Sequence, residues 1–236
     1  PNIVLNTIVA QTFSEAVDAL TGAKDFESAC KAYTEKLLKE HYRIIFNYNG
    51  YGPDWEPEAE RRGLLNNKTT ADAIPECYKR ENIDVFVRQG VYTEKEVVAR
   101  ANINLENYIK QINIEALTML EMGKQDIYPA VNAYIAELCS VIAAKRAVSE
   151  KMACKADTAL AEQLSKMNDA FADAMKKLEK DLSEMPAGEG AASQKMAHVI
   201  VPDMEAMRSL ADAMEKLCSS DYWPYPTYTD LMYSIR

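Results

Sequence analysis

Apolar residues recur at helical spacing along most of the chain. Between Ile3 and about Leu20 the positions Val4, Ile8, Val9, Phe13 and Val17 make one stripe. Asp25 is placed to cap a second helix, whose stripe is Phe26, Cys30, Tyr33, Leu37 and Leu38. The pattern then breaks. The run from Tyr42 to Trp55, YRIIFNYNGYGPDW, joins a short β-like stretch to Asn, Gly and Pro, and predicts a strand or extended segment followed by a loop. Asp54 can cap a short helix that Gly63 ends, another begins near Thr70, and residues 83 to 89 make a further turn or two before Gly90.

Thr93 and Glu96 read as a capping box, each side chain reaching a backbone N–H that the first helical turn leaves unpaired. From there the helical signal runs to about Ser149, with Gly123 its one glycine and Pro129 its one proline. A proline lacks the N–H and collides with the carbonyl four residues back, so a kink or break is expected close to Ile127. The clearest stripe follows: Leu160, Leu164, Met167, Phe171, Met175, Leu178 and Leu182. After the loop MPAGEG, Met196, Ile200, Met207, Leu210, Met214 and Leu217 repeat the spacing, with Pro202 expected to bend the helix near its start.

Two long stripes joined by a Pro/Gly loop predict an antiparallel hairpin, with the stretch before Ser149 as third partner. The fold class is therefore mainly α, with short helices, an irregular Asn/Gly/Pro loop and little or no sheet. Three stretches follow: residues 1–22, a helix; 23–92, short helices and loop; 93–236, a long-helix bundle ending in an aromatic, proline-rich tail. That tail, from Ser219 to Arg236, should lie extended across a surface before a last short turn.

Composition narrows the picture. Of 236 residues, 48% are hydrophobic and 27% charged, an ordinary globular balance. The formal net charge is −9, a field that repels nucleic-acid phosphates and anionic lipid, so neither is expected as a partner. No uninterrupted apolar run reaches the ~20 residues of a membrane span. The chain opens on Pro1 and is at once apolar at Ile3-Val4-Leu5, without a basic leader, and reads as the middle of something longer. Cut there, residues 1 to 20 would fray. Cys30, Cys77, Cys139, Cys154 and Cys218 are dispersed without a CxxC pair, which fits reduced, buried thiols in a cytoplasmic protein.

Catalytic patterns are sparse. His41 and His198 are the two histidines, and neither follows a glutamate at the spacing a di-iron bundle requires. There is no GxSxG elbow and no phosphate-binding loop; Gly50-Tyr51-Gly52 is too short for a dinucleotide fingerprint. Glu115, within INIEALTML, is a carboxylate among apolar neighbours, readable as a paired helix residue or as a catalytic acid. The methionines after residue 119 are readable as core filler or as an adaptable groove. Tyr222, Trp223, Tyr225 and Tyr228 would form a large apolar patch if unattached, so they should dock on this chain or a neighbouring subunit.

Four segments carry a resemblance. PNIVLNTIVA at the start, HYRIIFNYNGYGPDWEPEAERRGLLNNKTTADAIP from His41, INIEALTMLEMGKQDIYPAV from Ile112, and the closing PDMEAMRSLADAMEKL with DYWPYPTYTDLMYSI resemble the C-terminal part of type III glutamine synthetases. The match runs in unbroken order from Pro1 to Ile235. It departs at Gln11, where the family more often has an acid, and at Tyr48, where glycine is common.

The resemblance implies a parent that joins ammonia to glutamate with ATP and Mg²⁺ or Mn²⁺, built as a dodecamer of two stacked hexameric rings. The family's metal and ammonia residues lie before the stretch matching Pro1, so no catalytic, cofactor or metal residue carries over. The first helix would then be the last piece of the catalytic domain. Candidates for packing, interface or family-motif roles are Asn47, Asn49, Gly50, Asn113, Glu115, Met119, Pro129, Trp223, Pro224, Pro226 and Tyr228. Two roles follow: an inactive structural and oligomerisation part packing on the catalytic core and neighbouring subunits, or a helical module docking a partner through its Met-rich and aromatic surfaces.

Overall fold

A computed structural model describes residues 2–233. Among them every regular element is helical, and the chain divides into two compact units, one ending at Leu105 and the other beginning at Glu106.

The first unit contains α1 (Asn2–Leu20), α2 (Phe26–His41), α3 (Trp55–Arg61), α4 (Thr70–Ala73), α5 (Arg80–Arg88) and the opening turns of α6 (Glu94–Met122). The caps follow local chemistry. Asp25 Oδ1 accepts the Ser28 N–H at 3.2 Å, and Thr93 and Glu96 exchange the two bonds of the capping box. Gly63 and Gly90 adopt positive φ where α3 and α5 end. Asp54 departs from expectation: it precedes α3 in a helical conformation, and its side chain makes no cap bond. The run after His41 forms no strand; a 3₁₀ turn at Tyr42–Ile44 passes into an extended loop.

Helix α1 is inverted. Its buried residues are Thr7 and Gln11, at 3% and 8% exposure, while Phe13 and Val17 stand 69% and 60% exposed. It meets α5 through amide chemistry, Gln89 Nε2 donating to Gln11 Oε1 at 2.8 Å. Its apolar stripe, Val4, Ile8, Val9, Phe13 and Val17, lies wholly on the open side.

The second unit continues α6 and adds α7 (Tyr128–Val148), α8 (Lys155–Ser183), α9 (Glu189–Lys195), α10 (Val201–Glu215) and α11 (Tyr228–Tyr233). Helix α8 packs along α7 and α10, and Leu164, Phe171, Leu178, Ile200 and Met214 are fully buried between them. This is the hairpin with its third partner that the stripes predict.

Neither proline breaks its helix. A π turn, Gly123–Ile127, joins α6 to α7, and a second, Met196–Ile200, joins α9 to α10. In each the closing N–H reaches back five residues, Tyr128 to Gly123 and Val201 to Met196. A proline follows immediately, Pro129 or Pro202. The extra residue widens the coil where the pyrrolidine ring would strike a carbonyl, so the helix continues.

The combined helix Glu94–Val148 contains an eighteen-residue window of mean hydropathy 1.4, long and apolar enough by composition to cross a membrane. The sequence still holds no uninterrupted apolar run of that length; the window average passes because apolar residues outnumber the polar ones interspersed among them. Within the helix, Val131 and Leu138 belong to the core beside α8.

Candidate functional site

Two places gather the residues singled out by sequence. The first is the loop from Arg43 to Trp55. Asn49 shapes it: its Oδ1 accepts the Tyr51 N–H at 3.0 Å and its carbonyl accepts the Gly52 N–H at 3.1 Å. Phe46 packs on Trp55 with ring centroids 4.3 Å apart.

Arg62, half-buried at the end of α3, clamps the loop. Its Nη1 donates to the Ile45 carbonyl at 2.6 Å and the Arg43 carbonyl at 3.2 Å, and its guanidinium sits 5.5 Å from the Phe46 centroid. Glu58 accepts from Arg61 and Arg62, which holds its carboxyl down to about 2. Tyr48 and Tyr51 are presented to solvent, and Asn47, Asn49 and Gly50 are exposed with them. A Cβ on Gly50 would meet nothing within 4 Å, so this fold does not itself require glycine there.

The second is a trough of about 610 Å³ within the second unit. Ile114, Glu115, Met119 and Met122 line it from α6; Met204, Met207 and Ala211 from α10. Ile127 and Phe171 form its floor, and Trp223 and Tyr225 of the tail close its side. Glu115, Met119 and Trp223, chosen separately by sequence, therefore share one surface. Glu115 is exposed and accepts a hydrogen bond from Gln111 Nε2 at 2.7 Å, the paired-residue reading of that acid.

The tail is docked as its composition requires. Tyr225 donates its hydroxyl to Asp126 Oδ2 at 2.9 Å, on the π turn. Burial first, and that hydrogen bond second, push the phenol up to about 12. Tyr222 packs on Tyr134 at 5.3 Å between centroids. Pro224 and Pro226 flank Tyr225 and are exposed. Asn113 is half-buried on α6 outside the trough lining, and Pro129 is exposed just beyond the π turn. Tyr228 opens α11; its side chain lies outside the described residues.

Gly123 stands out in the sequence but gains a role only in the fold. A Cβ there would come within 2.5 Å of Met207 Cε and 2.8 Å of Met175 Sδ, so glycine lets α6 meet the core; a lone glycine inside a long helical run is the signal for such an approach. Arg62 and Asp126 carry no sequence signal, because their partners depend on the fold. The thiol expectation needs one correction. All five cysteines are free, but Cys139 is exposed and Cys30 and Cys77 are only half-buried, since the helices that carry them are packed on one side.

Among the described residues, no group of three or more His, Cys, Asp or Glu side chains stands close enough to hold a metal ion. What the two places offer is shape: a braced aromatic loop and an apolar trough. Residues 29–146, half of the chain, match the glutamine synthetase C-terminal domain family.

The chain belongs to that family.

It is 33% identical over 227 residues to the glutamine synthetase of Butyrivibrio fibrisolvens, an alignment covering 95% of this chain and 32% of that protein. It is 27% identical over 250 aligned positions to the type-3 glutamine synthetase of Dictyostelium discoideum, covering 99% and 33%. With the glutamine synthetase of Bacteroides fragilis the identity is 23%, over 98% and 33%. The chain thus spans about a third of the length of the curated relatives it matches. The braced loop and the first half of the trough fall inside the family match; the tail lies beyond it.

Proposed function

We propose that this chain is the C-terminal structural and oligomerisation part of a type III glutamine synthetase, an enzyme that ligates ammonia to glutamate with ATP in the cytoplasm. Its partners are then the rest of the parent chain and identical subunits, in a dodecamer of two hexameric rings. The family match supports the parent reaction. On this reading ATP, Mg²⁺ or Mn²⁺ and the catalytic steps belong to the two thirds of the relatives' length that this chain does not span.

The observation that carries the structural role is the inverted first helix. A solvent-facing helix shows polar residues outward; α1 turns five large aliphatic and aromatic side chains outward and seats its glutamine on α5. Apolar surface of that extent is stable in water only when covered. The two thirds of the relatives' length that this chain does not span are the natural cover, making α1 a joint between catalytic and C-terminal parts.

The test places Ile8→Asp and Phe13→Asp together in a full-length chain carrying this segment. Light scattering should show lost or smaller assemblies and glutamine synthesis should fall, while the same pair leaves the helicity of the 236-residue chain unchanged. Normal assembly and turnover by the doubly substituted full-length enzyme would refute the role. ATP-dependent γ-glutamyl transfer by the 236-residue chain alone would refute the assignment of the active site elsewhere.

A further inference from the structure

We infer that the trough between α6 and α10 receives an amphipathic helix that carries lysine or arginine beside its apolar face. The trough is distinct from the α1 surface, lying wholly within the second unit. It is lined from Ile114 to Met122 on one side and from Met204 to Glu215 on the other, roughly 12 to 16 Å at the rise of an α-helix, which is two to three turns. The trough lies between residues of α6 and α10 with Phe171 of α8 in its lining, and a bundle of this kind accepts a further helix along such an apolar seam.

The lining says what face would enter. Met119, Met122 and Met204 supply unbranched, polarisable side chains that adapt to the outline of an incoming apolar residue, above the buried Met207. Phe171 and Ile127 give a rigid floor, and Trp223 is held beside them by the docked tail. The rim says which charge would flank that face. Among the described lining residues Glu115, Asp212 and Glu215 are acidic and Arg208 is basic, with Arg208 Nε already 3.5 Å from Asp212. An apolar helix with cationic flanks satisfies both walls and rim; one with acidic flanks meets like charge.

The probe is a fluorescein-labelled peptide of leucine and lysine about four helical turns long, with leucines spaced to form one face. Its twin has glutamate for lysine, and a scrambled peptide keeps the composition without the face. Fluorescence anisotropy with the 236-residue chain at about 0.15 M salt should show saturable binding of the leucine–lysine helix alone.

Met122→Arg, at a partly exposed trough position, should weaken that binding about tenfold or more without changing the unfolding midpoint. Glu115→Lys with Glu215→Lys should transfer the preference to the glutamate twin. Equal binding of the lysine peptide by all three forms would mean that it binds away from the trough, and would overturn the inference. So would equal binding of the scrambled peptide, or displacement of the helix from the trough by a short alkylammonium at lower concentration, which would make the occupant a small amine.

Discussion

Replacing Gly123 by alanine places a methyl group where the core has no room for it. The new Cβ would lie 2.5 Å from Met207 Cε, 2.8 Å from Met175 Sδ and 3.3 Å from Phe171 Cζ. The methionine ends can swing, but Met207 and Met175 are buried and Phe171 is fully enclosed, so the movement must be shared by neighbours. Overpacking of this kind costs about 1 to 3 kcal/mol, against a gain of about 1 kcal/mol from replacing a helical glycine. The net expectation is a loss of about 0 to 2 kcal/mol.

Gly190 in α9 is the internal control. Its Cβ would meet nothing within 4 Å, so Gly190→Ala should be neutral or stabilising by up to about 1 kcal/mol. Urea unfolding followed by circular dichroism measures both, and the two identical substitutions should separate by about 1 to 3 kcal/mol. A cycle sharpens the test. Met207→Ala removes the atom in closest conflict, so the double variant Gly123→Ala/Met207→Ala should be more stable than the sum of the singles predicts, by about 1 kcal/mol or more. Equal stabilisation at both glycines, or strict additivity in the cycle, would refute the packing account.

Other consequences can be measured alongside. The Tyr225 phenol is raised from its ordinary 10 to about 12, so the folded chain favours its neutral form. Its contribution to tail docking is complete below pH 10 and lost as pH rises through 12. Trp223 fluorescence should report that alkaline change, and Tyr225→Phe should abolish it. Glu58 is depressed to about 2, so its support of the Arg61–Arg62 clamp is present above the ordinary carboxylate value of 4.5 and lost as pH falls toward 2. Acid titration of Trp55 fluorescence should show this, and Glu58→Gln should remove it. Arg62→Ala should speed hydrogen exchange at the Tyr42–Trp55 loop and cost about 0.5 to 1.5 kcal/mol, since it frees two solvent-accessible carbonyls and uncovers Phe46. Asn168→Asp would leave a carboxylate in a site 2% exposed and should cost about 3 kcal/mol or more in thermal or urea unfolding.

The helices were legible because their determinants are local. The stripe from Leu160 to Leu182 and the Thr93–Glu96 box needed no tertiary information, and both formed as read. The turns at Pro129 and Pro202 were legible as irregularities but not as continuations, because a π turn is decided by what the proline ring must avoid. The inversion of α1 was invisible, since the spacing of Val4, Ile8 and Phe13 is that of any core helix and says nothing of which side its neighbours occupy. Trough members were found one by one from composition, whereas their juxtaposition depends on the tertiary packing of α6 and α10.

The wide turns ahead of Pro129 and Pro202 also constrain how this sequence can change. Deleting one residue between Gly123 and Ile127 would restore ordinary winding and, in doing so, re-aim everything downstream by about 100° around the axis, while driving the pyrrolidine into the carbonyl it now clears. Losing the proline alone would remove the reason for the extra residue but not the rotation that seats Val131 and Leu138. The surplus residue is therefore what any descendant that keeps this core must retain, whereas the imino acid can be lost without moving the helix behind it.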